Sequence, residues 1–98
     1  MKYKNLNALG QLLGCYFHQD WFEEFESDIA ALHSIVESEP KERLSAGVAE
    51  IDELLMASLP ENELKTILTD EVGCYFEPTS QGITYTEWLK RVRQKFAH

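Results

Sequence analysis

Apolar residues recur at three- and four-residue intervals along almost the whole chain, and no segment sustains the two-residue alternation of a half-buried strand. That pattern restricts the fold to an all-α one. Leu6, Leu9, Leu13, Tyr16 and Phe17 make a first stripe, and Ile29, Leu32 and Val36 a second. The second begins just after Ser27 and Asp28, whose side-chain oxygens can accept from the free N–H groups of a first turn. Leu44, Val48, Ile51 and Leu55 form a third stripe with Leu54 beside them, and Leu64, Ile67, Leu68 and Val72 a fourth. These two open at Pro40 and Pro60, where the missing proline N–H would have no partner in any case. Gly73 suits a helix stop, because glycine adopts left-handed backbone freely. Thr84-Tyr85-Thr86-Glu87 fits a capping box, and Tyr85, Trp88, Leu89, Val92 and Phe96 follow it on one face.

These spacings predict five helices, near residues 5–17, 27–38, 40–57, 60–72 and 84–96, in one compact domain over residues 1–98. The expected core includes Leu9, Leu13, Ile51, Leu55, Leu68, Trp88 and Leu89. Only the polar stretch 77–82 reads as a long irregular turn. Gly14-Cys15-Tyr16-Phe17 recurs as Gly73-Cys74-Tyr75-Phe76, but the flanks do not match. The echo is far shorter than a structural repeat and reads as coincidence in aromatic packing.

Charge narrows the function. Seventeen acids against nine bases leave a net charge of -8 on 98 residues. Such a surface repels nucleic acid, whose recognition rests on cationic contacts to phosphate, and attracts basic partners. The acids are concentrated: fifteen lie between Asp20 and Glu71 against only Lys41, Arg43 and Lys65. The residues from Glu87 to Phe96 instead carry Lys90, Arg91, Arg93 and Lys95, where cations complement a helix C-terminus. Within the densest acidic run, Asp20 to Asp28, stand Trp21, Phe22 and Phe25. Acids interleaved with aromatics can make a binding surface; the plainer expectation is that Trp21 and Phe25 face the core while the acids face water.

The chain offers little chemistry beyond binding. No apolar run approaches the length of a spanning helix, and no secretory or lipidation signal is visible, so the expected compartment is the cytoplasm, with no membrane partner. Cys15 and Cys74 are expected to be reduced there. Cys15 and His18 could share a helix face, but no second ligand pair accompanies them. His33 and His98 read as ordinary. Glycine-rich phosphate loops, nucleophile elbows and zinc-protease motifs are absent from the sequence. The expectation is therefore no enzyme, with no catalytic residues, no metal and no cofactor.

Three stretches resemble a known family. Residues 12–21 contain Tyr16-Phe17-His18-Gln19-Asp20-Trp21, similar to the YFHQDW signature of small helical immunity proteins of bacterial contact-dependent growth inhibition systems. Val48-Ala49-Glu50-Ile51-Asp52-Glu53-Leu54-Leu55 resembles that family's third helix, and Gly82-Ile83-Thr84-Tyr85-Thr86-Glu87-Trp88-Leu89 its closing G-x-[ST]-Y-x-E-W-L. The resemblance implies a protein that neutralises the C-terminal toxin domain of a CdiA-type effector, many of which are nucleases. It also implies that signature residues mark the shared scaffold, since toxin contacts must differ between cognate pairs. His18, Asp20, Trp21, Tyr85 and Trp88 are on that ground expected to hold the fold, for example through a buried polar contact between His18 and Asp20.

For the toxin itself the expected contacts are carboxylates among Glu23, Glu24, Glu26 and Asp28. Glu37, Glu50, Asp52 and Glu53 offer a second acidic face, and the sequence does not choose between them. The rival to immunity is an acidic adaptor docking on another cytoplasmic protein.

Overall fold

The structure, a computed structural model, describes residues 6–97. The expected helix start at residue 5, and His98, lie outside the described residues. Helix α1 covers residues 7–16 and is wound as a π-helix over Gly10–Gly14. α2 is a single turn, Trp21–Glu24; α3 is Asp28–Ser38 and α4 is Lys41–Met56. α5 covers residues 61–72, ending in a π-wound stretch over Ile67–Val72, and α6 is Tyr85–Phe96. The five expected helices are present. α2 was not expected, because one turn is too short to display a periodicity. The polar connection before α6 is tightened by a 3₁₀ turn, Pro78–Gln81.

The expected starts and stops have direct causes. Ser27 Oγ accepts the Ala30 N–H at 3.1 Å at the start of α3. Thr84 Oγ1 accepts the Glu87 N–H at 3.0 Å while Glu87 Oε1 accepts the Thr84 N–H at 2.9 Å, the reciprocal pair of a capping box. Gly73 ends α5 in left-handed backbone, φ 83°. Two further caps come from distant glutamates. Glu50 of α4 accepts the N–H groups of Ala8 and Leu9 at 3.1 and 2.9 Å. Glu61 of α5 accepts those of Tyr85 and Thr86 at 2.7 and 3.2 Å. A carboxylate there satisfies orphan donors and meets the positive end of a helix dipole.

α6 lies against α4, α3 and α5, and α1 crosses α4. Leu9, Leu13, Ile51, Leu68, Trp88 and Leu89 are fully buried, as expected. Two stripes need correction. On α4 the inward line is Leu44, Gly47, Ile51 and Leu54, whereas Leu55 is only partly buried. Gly47 sets that line: a Cβ there would come within 2.7 Å of a Leu12 methyl and 3.6 Å of the Phe96 ring. A glycine adds nothing to a hydrophobic count, so periodicity puts the partly buried Val48 in its place. On α3, Ala31, Leu32 and Ile35 point inward and Ile29 stands exposed.

The four-residue echo also reads differently in three dimensions. Its two copies touch. A Cβ on Gly14 would meet the Val72 carbonyl oxygen at 2.3 Å, and one on Gly73 would lie 3.8 Å from the Gly14 Cα. The Tyr75 N–H donates to the Phe17 carbonyl at 2.8 Å, and the Phe17 and Phe76 rings are 5.8 Å apart. Each copy follows a π-wound stretch. The correspondence stops there, since Cys15 is exposed and Cys74 buried.

Two substitutions test this packing by denaturant unfolding. Trp88→Ala should cost roughly 3–5 kcal/mol, the range for truncating a buried aromatic. Gly14→Ala should cost about 1–3 kcal/mol, because backbone rather than a yielding side chain opposes the new methyl. A Gly14→Ala protein as stable as its parent would show that α1 and α5 can separate freely.

Candidate interaction surface

The segment with the densest acids is anchored by its aromatics. Trp21 packs against Phe17 and Phe76, with ring centroids 5.3 and 5.5 Å apart. Both phenylalanines contact Trp88, at 5.4 and 4.9 Å. Phe25 lies 6.4 Å from Tyr16. Trp21 and Phe25 are thus half-buried against the core, while Phe22 between them is 64% exposed. Glu23, Glu24 and Glu26 are exposed around it.

Asp28 does not belong with them. It is the buried charged residue among those described, 1% exposed. Its Oδ2 accepts the Trp88 indole N–H at 2.8 Å and an Arg91 N–H at 3.0 Å; its Oδ1 accepts from the Gln81 amide at 2.9 Å. Arg91 also donates to the Gln81 carbonyl at 3.1 Å. Asp28 therefore ties α3, the 3₁₀ turn and α6 together, and a partner's cation cannot reach it. Sequence could not separate it from its neighbours, because a buried carboxylate and a surface one look alike when the partners are 53 to 63 residues away.

The alternative acidic face is partly engaged as well. Glu50 caps α1, and Asp52 forms a two-pronged pair with Arg93 at 2.5 and 3.3 Å. Glu37 pairs with His33 one turn earlier, and Glu53 is exposed. The α2 run places the exposed carboxylates of Glu23 and Glu24 beside the exposed Phe22 ring.

His18 acts locally. Its Nδ1 accepts the main-chain N–H of Asp20 at 3.1 Å, and its Nε2 lies 3.2 Å from Glu24. The expected buried contact between the His18 and Asp20 side chains is replaced by this half-exposed bond to the backbone, which braces the turn into α2. Tyr85 is buried at the start of α6, and burial pushes its hydroxyl pKa up. Cys74 is buried too, its thiol pushed up to about 12, so it stays protonated. Among the described residues no three His, Cys, Asp or Glu side chains gather as a metal site would require, and no helix is long and apolar enough to cross a membrane.

A profile of the CdiI immunity protein family matches residues 5–96. The chain belongs to the CdiI immunity protein family. In a crystal structure of a CdiA-CT/CdiI complex from Y. kristensenii, one chain is 32% identical to this one, with a TM-score of 0.87 over 95% of this chain and 99% of that one. No curated protein matches. In this CdiI protein two of the resembling stretches meet in space. Phe17 and Trp21 from the first and Trp88 from the last share one aromatic cluster, which Asp28 closes at its polar edge.

Asp28 gives a pH prediction. Burial raises the cost of its charge, but the hydrogen bonds from Gln81, Trp88 and Arg91 and the Arg91 charge prevail, holding the carboxyl below its ordinary 3.8. A carboxylate depressed in the folded state contributes stability in full above its unfolded pKa, and loses it as pH falls through the folded one. Asp28→Asn should therefore cost about 2–4 kcal/mol at neutral pH. That gap should narrow as pH drops below 3.8. Unfolding midpoints of both proteins along an acid series measure it; a gap constant with pH would mean that Asp28 carries no charge in the fold.

Proposed function

We propose that this protein is the stoichiometric inhibitor of a CdiA C-terminal toxin, acting by binding and not by catalysis, in the cytoplasm of the cell it protects. What carries this is the family membership together with the 32% match, over nearly the full length of both chains, to a chain of a CdiA-CT/CdiI complex. We assign the toxin to the nucleases. A nuclease must present cations to phosphate, and a chain of net charge -8 complements it. The inhibitor covers the active site or the substrate groove.

The face we assign to the toxin is α2 with Glu26 after it. Phe22 is the apolar anchor, and Glu23, Glu24 and Glu26 are the charges that steer and orient. Trp21 holds this turn to the core, so the face is presented in one conformation and little ordering is needed on binding.

Reversing Glu23 and Glu24 to Lys together should weaken neutralisation of the cognate toxin at equal protein level. Stability should shift by only about 0.5 kcal/mol per site, as exposed substitutions do. Association of the parent with the toxin, followed by stopped-flow, should slow steeply with salt while dissociation changes little. Undiminished protection by the double variant would move the toxin to another face. Salt-independent association would remove the electrostatic basis for a nuclease.

A further inference from the structure

A second surface has the opposite character. Between α3 and α6 opens a groove of about 870 Å³, lined by apolar Ile29, Ala30 and Val36 and by His33, Arg91 and Lys95. Ile29 is 41% exposed there, large and apolar without cover. Among the described residues the lining includes no carboxylate, in a chain where acids outnumber bases seventeen to nine. Arg91 is partly balanced by Asp28, but Asp28 is buried while the Arg91 side chain is 33% exposed. A ligand in the groove therefore meets the guanidinium. His33 is held 3.2 Å from Glu37.

We propose that this groove docks an acidic amphipathic helix of a partner protein. It differs from the toxin face in place and in sign, and does not depend on that face being correctly assigned. The lining runs from Ser27 to Val36 along α3, roughly 14 Å or two to three turns, with Arg91 to Lys95 of α6 forming the opposite wall. A helix laid there sets apolar side chains at i, i+3 or i+4, and i+7 against Ile29, Ala30 and Val36. Its flanking carboxylates meet Lys95 and Arg91. Charge decides among occupants. A basic partner is repelled by the cationic residues of the lining. A second copy paired groove to groove would set Lys95 and Arg91 against the same cations.

The test uses the full chain, methyl- and amide-labelled for NMR. The probe is a stapled three-turn helical peptide with leucines along one face and glutamates flanking them; its twin carries lysines in place of the glutamates. The acidic peptide should shift the resonances of Ile29, Val36 and Lys95, and the lysine twin should not. Lys95→Glu and, separately, Ile29→Glu should each weaken the acidic peptide at least about tenfold, with unchanged circular dichroism. Equal binding of both peptides, or shifts confined to other surfaces, overturns the proposal. So does a groove already occupied by a second copy, seen as shifts that grow with protein concentration alone and a dimer in sedimentation.

Discussion

The hydrogen bond from the Trp88 indole to Asp28 is the contact on which the rest of the structure depends. Trp88 is the largest fully buried side chain, and an indole N–H so placed must find an acceptor or leave a desolvated donor. Asp28 supplies it from the first turn of α3, where the helix dipole favours a negative charge. Arg91, one turn along α6 from Trp88, supplies the countercharge. Neither residue is tolerable in its place without the other. A buried carboxylate lacking these donors would be expelled or protonated, and a buried indole lacking the carboxylate would strain the core. Because the two lie 60 residues apart, the bond also fixes which faces of α3 and α6 meet.

The position of α2 follows from a second constraint, the close crossing of α1 and α5. Gly14 and the Val72–Gly73 backbone approach closer than any side chain would allow. That approach lets the Phe17 carbonyl pair with the Tyr75 N–H and brings Phe17 and Phe76 into the Trp88 cluster. Trp21 then caps the cluster from outside. The result is a single helical turn with its tryptophan held and its phenylalanine and glutamates free. A four-residue helix has no stability of its own; it exists because aromatic packing fixes one of its corners. Buried anchor and exposed face are therefore adjacent residues of one turn, with Phe17 and Trp21 in the aromatic cluster and Phe22, Glu23 and Glu26 exposed to solvent.

The five longer helices, the α6 capping box and the burial of Trp88 were legible because they depend on local pattern. The fifth-helix stripe reads correctly since every inward position on it carries a large apolar side chain. The α4 face reads one position off twice, Val48 for Gly47 and Leu55 for Leu54, and at the first the inward site carries no side chain at all. Asp28 reads wrongly for a related reason. Pattern assigns charge to the surface, and only the three-dimensional meeting of Trp88, Arg91 and Gln81 makes an interior carboxylate affordable. The two Gly-Cys-Tyr-Phe segments meet in space, which their sequence separation does not show.

Formal charge is consequently a poor guide to which acids can bind. Glu50 and Glu61 accept two backbone N–H groups each, and Glu87 closes the capping box. Asp28 and Asp52 hold arginines of α6. All five count toward the net charge of -8 and so toward the long-range field of the chain. A partner's cation would compete for their oxygens with donors the fold uses, and a donor lost at a helix end costs about as much as a surface ion pair returns. Glu23 and Glu26 carry no such obligation in the capping and bridging contacts, and Glu24 gives up only a half-exposed histidine. Steering is thus a property of the whole chain. Contact is a narrower matter, open only to exposed acids with few ties to the fold, and Glu23 of the short α2 and Glu26 just after it are among them.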